Sequence, residues 1–330
     1  MIISALLAAA VLEGPFPLLI TPFNEDATVD IPTLVREAQY VNSCGTGGII
    51  WPTAGEVGLS EADGSYERGI VALAEISVKD KFNSWITITT PGSTSAEAVK
   101  RGKLVSDIAR RTGAKMALLA RPPDDCCTNQ AMMANHYRAL GAAVSVPVII
   151  QTYNPAKGFK QPEVKMLVEL AKERPEIFGY VKEESPGDKV NDRMAELVAS
   201  PAIHTVLSGW GGKGWIYQAT RIGTRGIISQ RPAYAGLFVR IWNRIKAGAD
   251  ASDPELADAY MKYLYMVNLG DVFSSYGDDE MRGPHLYVLE KLGVFRNRLN
   301  RTGKGKVEEY TLPPQAVKEI EARMKLTFGK

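Results

Sequence analysis

The chain has 330 residues, 45% of them hydrophobic and 23% charged, which suits one large α/β domain or two ordinary ones. Its 39 basic and 37 acidic residues leave a net charge of +2, too balanced for a nucleic-acid surface but compatible with a small anion in a locally basic pocket. Three cysteines (Cys44 and the adjacent Cys126 and Cys127) make a poor disulfide framework, and His136, His204 and His285 lack metal-ligand spacing, so no metal is expected.

The apolar run at 2–12 has no basic segment before it, and Gly14-Pro15-Phe16-Pro17 follows at once. We expect a short N-terminal helix over 1–13 and a cytoplasmic protein, with an export signal as the alternative. The run is too short to span a bilayer, so no membrane association is expected. From 14 to 247, short apolar runs predict strands at 16–21, 48–52, 85–90, 116–120, 146–153, 178–182, 205–208 and 226–229. Between them lie helical patterns, such as Leu34, Ala38 and Val41, or Val164, Leu167, Val168 and Ala171. Eight βα units in about 235 residues match an α/β fold of the (β/α)8 TIM barrel kind, although an open doubly wound sheet shares this periodicity. Over 248–330 the pattern turns helical (254–269, 283–292, 314–324), which reads as a C-terminal helical appendage packed on the barrel.

Unusual residues cluster where strands end, the face on which barrel enzymes gather their catalytic groups. After strand two, Trp51-Pro52-Thr53-Ala54-Gly55-Glu56 forms a tight turn whose amides and Thr53 hydroxyl can converge on a carboxylate. The plainer reading is a βα turn with Glu56 capping the next helix. At the end of strand five, Gln151-Thr152-Tyr153-Asn154-Pro155-Ala156-Lys157-Gly158 offers a phenol that can move a proton, or simply a wet tyrosine before a turn. Lys157 can pair with an acidic substrate. Strand six closes on Val181-Lys182-Glu183-Glu184. An ammonium taken out of water is driven towards the free amine, the form that attacks a carbonyl, whereas a solvated strand tip would leave it an ordinary lysine. After strand seven, Gly209-Trp210-Gly211-Gly212-Lys213-Gly214 has the spacing of a dinucleotide loop. It lies late in the chain without the acidic residue that such a site needs, so it reads as a turn admitting a ligand close to backbone.

Taken in this order, these segments resemble the pyruvate-dependent class I aldolases and lyases typified by dihydrodipicolinate synthase and N-acetylneuraminate lyase. The resemblance covers nearly the whole chain. It rests on the Gly14-to-Phe23 segment, the Thr53-x-Gly55-Glu56 turn, the Tyr153-Asn154-Pro155 element, Val181-Lys182-Glu183, and Gly226-Ile227-Ile228-Ser229. It implies a TIM barrel in which Lys182 forms a Schiff base with a 2-oxo acid such as pyruvate and Tyr153 moves the protons. Thr53, with the backbone of Ala54 and Gly55, would hold the carboxylate, and Gly209 and Ile228 would line the pocket. It further implies no cofactor, and a homotetramer built as a dimer of dimers.

The chain also departs from that pattern. Pro52 stands where the family has glycine, and Ala54 where it has a second hydroxyl, so one carboxylate donor is missing. The segment Ala120-Arg121-Pro122-Pro123-Asp124-Asp125 lacks the tyrosine of the synthases' proton relay, so dihydrodipicolinate synthesis is not expected. Counting from Pro147, the family's tyrosine register falls on Gln151. Gln151 and Tyr153 share one face of an extended strand, so either can face Lys182, and we assign Tyr153 because an amide does no acid–base work near neutral pH. The expected function is a lyase or aldolase acting on pyruvate or a 2-keto-3-deoxy sugar acid. A dehydratase of such acids and a non-catalytic 2-oxo-acid-binding barrel are the alternatives. Arg121, Lys157 and Arg231 at strand ends would signal an acidic second substrate if two of them converge on the mouth.

Overall fold

The computed structural model describes residues 11–187, 189–229, 231–273, 283–301 and 306–329. Its elements run β1 (Gly14–Pro17), α1 (Ile31–Ser43), β2 (Gly48–Trp51), α2 (Val57–Ala62), α3 (Ser65–Lys79), β3 (Trp85–Thr89), α4 (Ser95–Thr112), β4 (Met116–Ala120) and α5 (Gln130–Ala143). There follow β5 (Val148–Gln151), α6 (Val164–Glu173), β6 (Tyr180–Glu183), α7 (Val190–Ala199), β7 (Thr205–Ser208), α8 (Trp215–Tyr217), β8 (Gly226–Ser229) and α9 (Ala235–Lys246). Beyond them lie α10 (Pro254–Val267), α11 (Leu269–Val272), α12 (Gly283–Lys291), a hairpin of β9 (Leu299–Arg301) and β10 (Val307–Glu309), and α13 (Pro314–Phe328).

All eight barrel strands are parallel, each beside its sequence neighbour, and β1 pairs with β8. A parallel bridge between Leu18 and Ile50 joins β1 to β2, with Leu19 N donating to Ile50 O at 2.9 Å, so the sheet closes on itself. Closure excludes the open doubly wound sheet. Successive strand residues point to opposite sides, and both sides are apolar because both are covered. Phe16, Leu18, Ile50, Leu119, Ile149, Tyr180, Leu207 and Ile228 fill the lumen. Their neighbours Ile49, Ile86, Leu118, Ile150, Val181 and Val206 face the surrounding helices. Gly48 faces the lumen too, and a Cβ there would lie 2.1 Å from the Phe16 ring. Glycine at this position is what lets an aromatic side chain fill the barrel floor.

Local signals set the helices. Asp30 accepts from Thr33 N at 3.1 Å and starts α1, which buries Leu34, Ala38 and Val41. Thr94 and Glu97 form a capping box on α4, and Gly113 ends it at φ +74°. Helices α9 to α13 build a second apolar cluster around Trp215, Phe238, Trp242 and Tyr263.

Three features differ from the sequence expectation. The strand expected over 146–153 ends at Gln151, because Asn154 is drawn off the sheet: its Nδ2 donates to Pro122 O at 2.6 Å and to Asp124 Oδ1 at 2.9 Å. The first strand is 14–17 rather than 16–21. The β9–β10 hairpin was not foreseen, since its short polar strands have little apolar alternation. Arg301 fixes it through Asp63 at 3.0 Å and by lying over the Phe23 ring at 4.6 Å. The expected N-terminal helix falls mostly on residues 1–10, outside the described residues, and Val11–Glu13 are not helical. No helix among the described residues is long and apolar enough to cross a membrane.

Candidate active site

The lumen-facing register of β6 sets the site. Tyr180 faces the lumen, so Lys182, two residues on, does too, paired across the sheet with Gln151 on β5 and Leu207 on β7. Lys182 is 6% exposed, and its Nζ lies 2.7 Å from Glu184 Oε2. The same alternation carries Glu184 to the lumen side one step further up. Its other oxygen, Oε1, accepts from Gln151 Nε2. Gly209, at the end of β7, packs directly on this carboxylate, where a Cβ would come 2.4 Å from Glu184 Cβ and 3.0 Å from Oε2.

The neighbouring glutamate has a different task. Glu183 points outward and is fully buried. It accepts from Thr152 Oγ1 at 3.1 Å and Ser185 N at 2.8 Å, and it pairs with Arg193 at 3.2 Å. Thr152 Oγ1 in turn accepts from Glu184 N at 3.0 Å. Glu183 thus ties β5, β6 and α7 together and fixes the backbone that presents Lys182 and Glu184.

Tyr153 lies one residue past the last ladder contact of the β5 end, half-buried, with its ring edge-on to Phe159 at a centroid distance of 5.9 Å. The structure therefore brings Gln151 to the side of the lysine pair and leaves Tyr153 half-buried just past the end of β5. Thr53 leads into a 3-10 turn over Ala54–Glu56, with Thr53 and Ala54 half-buried and Gly55 exposed. Glu56 accepts from Thr21 Oγ1, which itself accepts from Trp51 Nε1 at 3.1 Å, anchoring the turn to the segment that follows β1. Ile228 lines the lumen, and Lys157 stands exposed in the turn after β5.

Around Gly211 and Gly212 (φ +64° and +78°) the loop after β7 is held from outside the barrel. Tyr263 of α10 donates to Gly211 O, and Tyr260 donates to Gly212 O at 3.0 Å. The loop leads into α8, which continues without a break as a π-helical stretch over Gln218–Ile222 and ends at Gly223. Among the described residues, no three His, Cys, Asp or Glu side chains are grouped to hold a metal.

The residue missed in the sequence was Glu184. Its signal was present: within Lys182-Glu183-Glu184, only the second glutamate shares the lysine's face of the strand.

A closed eightfold βα barrel whose strand ends gather a buried lysine, a carboxylate and an amide belongs to the barrel enzymes. More narrowly, the chain belongs to the Dihydrodipicolinate synthetase family, whose sequence profile matches residues 11–267. It is similar to the 4-hydroxy-tetrahydrodipicolinate synthase of Methanococcoides burtonii, 28% identical over 220 residues, covering 66% of this chain and 69% of that one. An uncharacterized DapA-like lyase of Thermococcus onnurineus is 26% identical over 200 residues, covering 60% and 64%. The chain thus spans about two thirds of these relatives' length. Among solved structures, dihydrodipicolinate synthase from Bacteroides thetaiotaomicron superposes with a TM-score of 0.74 over 96% of this chain and 99% of that one. At 15% identity, that likeness shows the fold alone.

Proposed function

We propose that the protein is a lysine-dependent lyase that binds a 2-oxo acid as a Schiff base on Lys182 and cleaves the C3–C4 bond of a 2-keto-3-deoxy sugar acid. The observation that carries this reading is the 2.7 Å contact between Lys182 Nζ and Glu184 Oε2 inside the barrel mouth. A general base must sit within about 2.6–3.2 Å of the proton it takes, and Glu184 does. In the first step Glu184 accepts a proton from Lys182, and the free amine adds to the C2 carbonyl. Glu184 then returns the proton to the carbinolamine hydroxyl, which leaves as water. A carboxylate next takes the C4 hydroxyl proton, the C3–C4 electron pair flows into the iminium, and an aldehyde departs. The resulting enamine is protonated at C3, and water hydrolyses the imine to release pyruvate.

The sequence assigns the proton shuttle to Tyr153; the geometry favours Glu184 for that role, with Gln151 holding the carboxylate in place. Thr53 and the opening amides of the turn at Ala54 and Gly55, which have no acceptor within that turn, hold the 2-oxo acid's carboxylate. Gly209 and Ile228 line the imine. The reaction differs from dihydrodipicolinate synthesis, on the grounds that Arg121-Pro122-Pro123 stands in place of the relay tyrosine and Gln151 stands in the tyrosine register. Dehydration is favoured as a second reading by Glu184 itself, since a carboxyl that takes a proton from C3 can deliver one to a departing C4 hydroxyl. Copies of the chain associate, in this reading as a tetramer, and the exposed Met261 and Tyr265 of α10 and Leu326 of α13 support contact between copies.

Pyruvate with borohydride should leave a reduced adduct on Lys182, mapped by peptide mass spectrometry, and Lys182→Ala should lose it. An adduct on another lysine, or none, overturns the proposal. Products from 2-keto-3-deoxy acids separate the two readings: pyruvate plus aldehyde for cleavage, a dehydrated oxo acid otherwise.

A further inference from the structure

Two arginines among the described residues are more than nine-tenths buried, Arg231 at 7% and Arg323 at 8% exposure. Arg323 is provided for: its guanidinium donates to Glu319 at 2.7 Å and to Tyr265 O at 2.8 Å. The guanidiniums of Arg193 and Arg301, also withdrawn from water, pair with Glu183 and Asp63. Arg231 has no ion pair and no side-chain hydrogen bond to the described residues, and its Nε is buried without an acceptor. A guanidinium cannot escape this cost by losing its proton, so a buried one without a counter-charge is destabilising unless an anion arrives.

Its place in the fold says where that anion comes from. Arg231 lies two residues past the end of β8, on the same face of the barrel as Lys182. Its charge acts on the phenols of Tyr234 and Tyr263, both held above the ordinary range mainly by burial. Tyr263 reaches the glycine loop at Gly211 O, and that loop begins at Gly209 against Glu184. Arg231 is therefore linked, through Tyr263 and the glycine loop, to the strand end that carries the lysine–glutamate pair.

We propose that Arg231 is the specificity-determining residue that binds a second anionic group, carboxylate or phosphate, at the end of the substrate remote from the 2-oxo acid. This deepens the lyase reading and rests on it, and it makes the substrate a dianion rather than a neutral-tailed sugar acid. Two oxygens of a carboxylate or phosphate match the fork of a guanidinium, and a hydrogen bond to a charged group is worth about ten- to a hundredfold in binding.

The test compares kcat/KM for 2-keto-3-deoxy acids ending in carboxylate, phosphate or an uncharged hydroxymethyl group, in the wild type, Arg231→Met and Arg231→Lys. Arg231→Met should cut kcat/KM for one anionic tail by about ten- to a hundredfold and far less for the neutral tail, with Arg231→Lys in between. Whichever anionic tail suffers identifies the source. Inorganic phosphate or glutarate should inhibit the wild type competitively and lose that effect in Arg231→Met. Thermal unfolding of Arg231→Met should stay level or rise, since an unpaired buried charge is removed. A lowered midpoint with equal losses on all three tails would show that Arg231 pairs with a carboxylate of the chain itself, and would overturn the proposal. The borohydride adduct on Lys182 is read separately: its absence, with anion inhibition intact, fells the lyase reading and not the anion site.

Discussion

Replacing Glu184 by glutamine keeps the shape of the side chain and its bond with Gln151 while removing the only carboxylate at 2.7 Å from Lys182 among the described residues. Both side chains are about nine-tenths buried, so the pair is little screened by solvent. Breaking a buried pair by removing one partner costs up to about 3–5 kcal/mol if the remaining ion stays charged. General acid–base groups contribute about 10²–10⁴ to rate, so kcat should fall by that factor while pyruvate still becomes trapped on Lys182, more slowly. Stopped-flow imine formation followed by steady-state cleavage reads both steps, with Tyr153→Phe measured beside it. Glu184→Gln within threefold of wild type, together with a dead Tyr153→Phe, would refute the assignment and return the proton to the phenol.

Two further outcomes follow from packing and burial. Gly209→Ala places a methyl 2.4 Å from Glu184 Cβ and 3.0 Å from Glu183 O, so the carboxylate must move. Activity should fall roughly a hundredfold, the effect of about a 1 Å misplacement, and unchanged kinetics would show that Glu184 need not sit where it does. His136 is buried without partners on either ring nitrogen, and burial lowers its pKa from 6.5 to about 4. Between those values the unfolded chain binds the extra proton and the folded one does not, so stability rises with pH across that window, by about 3 kcal/mol in all. Urea midpoints should drop from pH 6.5 to 4, with a shallower drop in His136→Leu; parallel pH profiles for the two proteins would refute this.

The fold was legible because both faces of a parallel barrel strand are apolar and each strand is followed by an amphipathic helix. Ile49-Ile50-Trp51 and Leu118-Leu119-Ala120 can hardly be anything but covered strands. The ends of strands were less legible. Nothing in the sequence of Gln151-Thr152-Tyr153 says where β5 stops, because that is decided by Asn154 reaching across to Pro122 and Asp124 on another loop. The same difficulty hid the site's chemistry. Lys182 stood out as a lysine in an apolar strand, but Glu184 looked like one of two surface carboxylates. Only the alternation of the strand separates the pair, sending Glu183 to Arg193 and Glu184 to the amine. Arg231 could not be told from a solvated arginine, since its isolation is a property of its surroundings rather than its neighbours in sequence.

The C-terminal appendage belongs to the chemistry as much as to the stability. A loop of four glycines in six residues has high conformational entropy to lose, and little in its own sequence holds it over Glu184. What holds it is α10: Tyr260 and Tyr263 bind successive carbonyls from the outer side, while Gly212 sits so close to Ile227 that a Cβ would fall 2.3 Å from its Cδ1. The loop is thus gripped between the barrel wall and a helix that the barrel alone would not supply. Glu184 keeps its distance from Lys182 because Gly209 limits where the carboxylate can go. Gly209 in turn stays in place because the tyrosines of α10 fix the rest of the loop. The helices after residue 250 therefore act on the lysine–glutamate pair through one glycine, without any of their side chains having to enter the lumen.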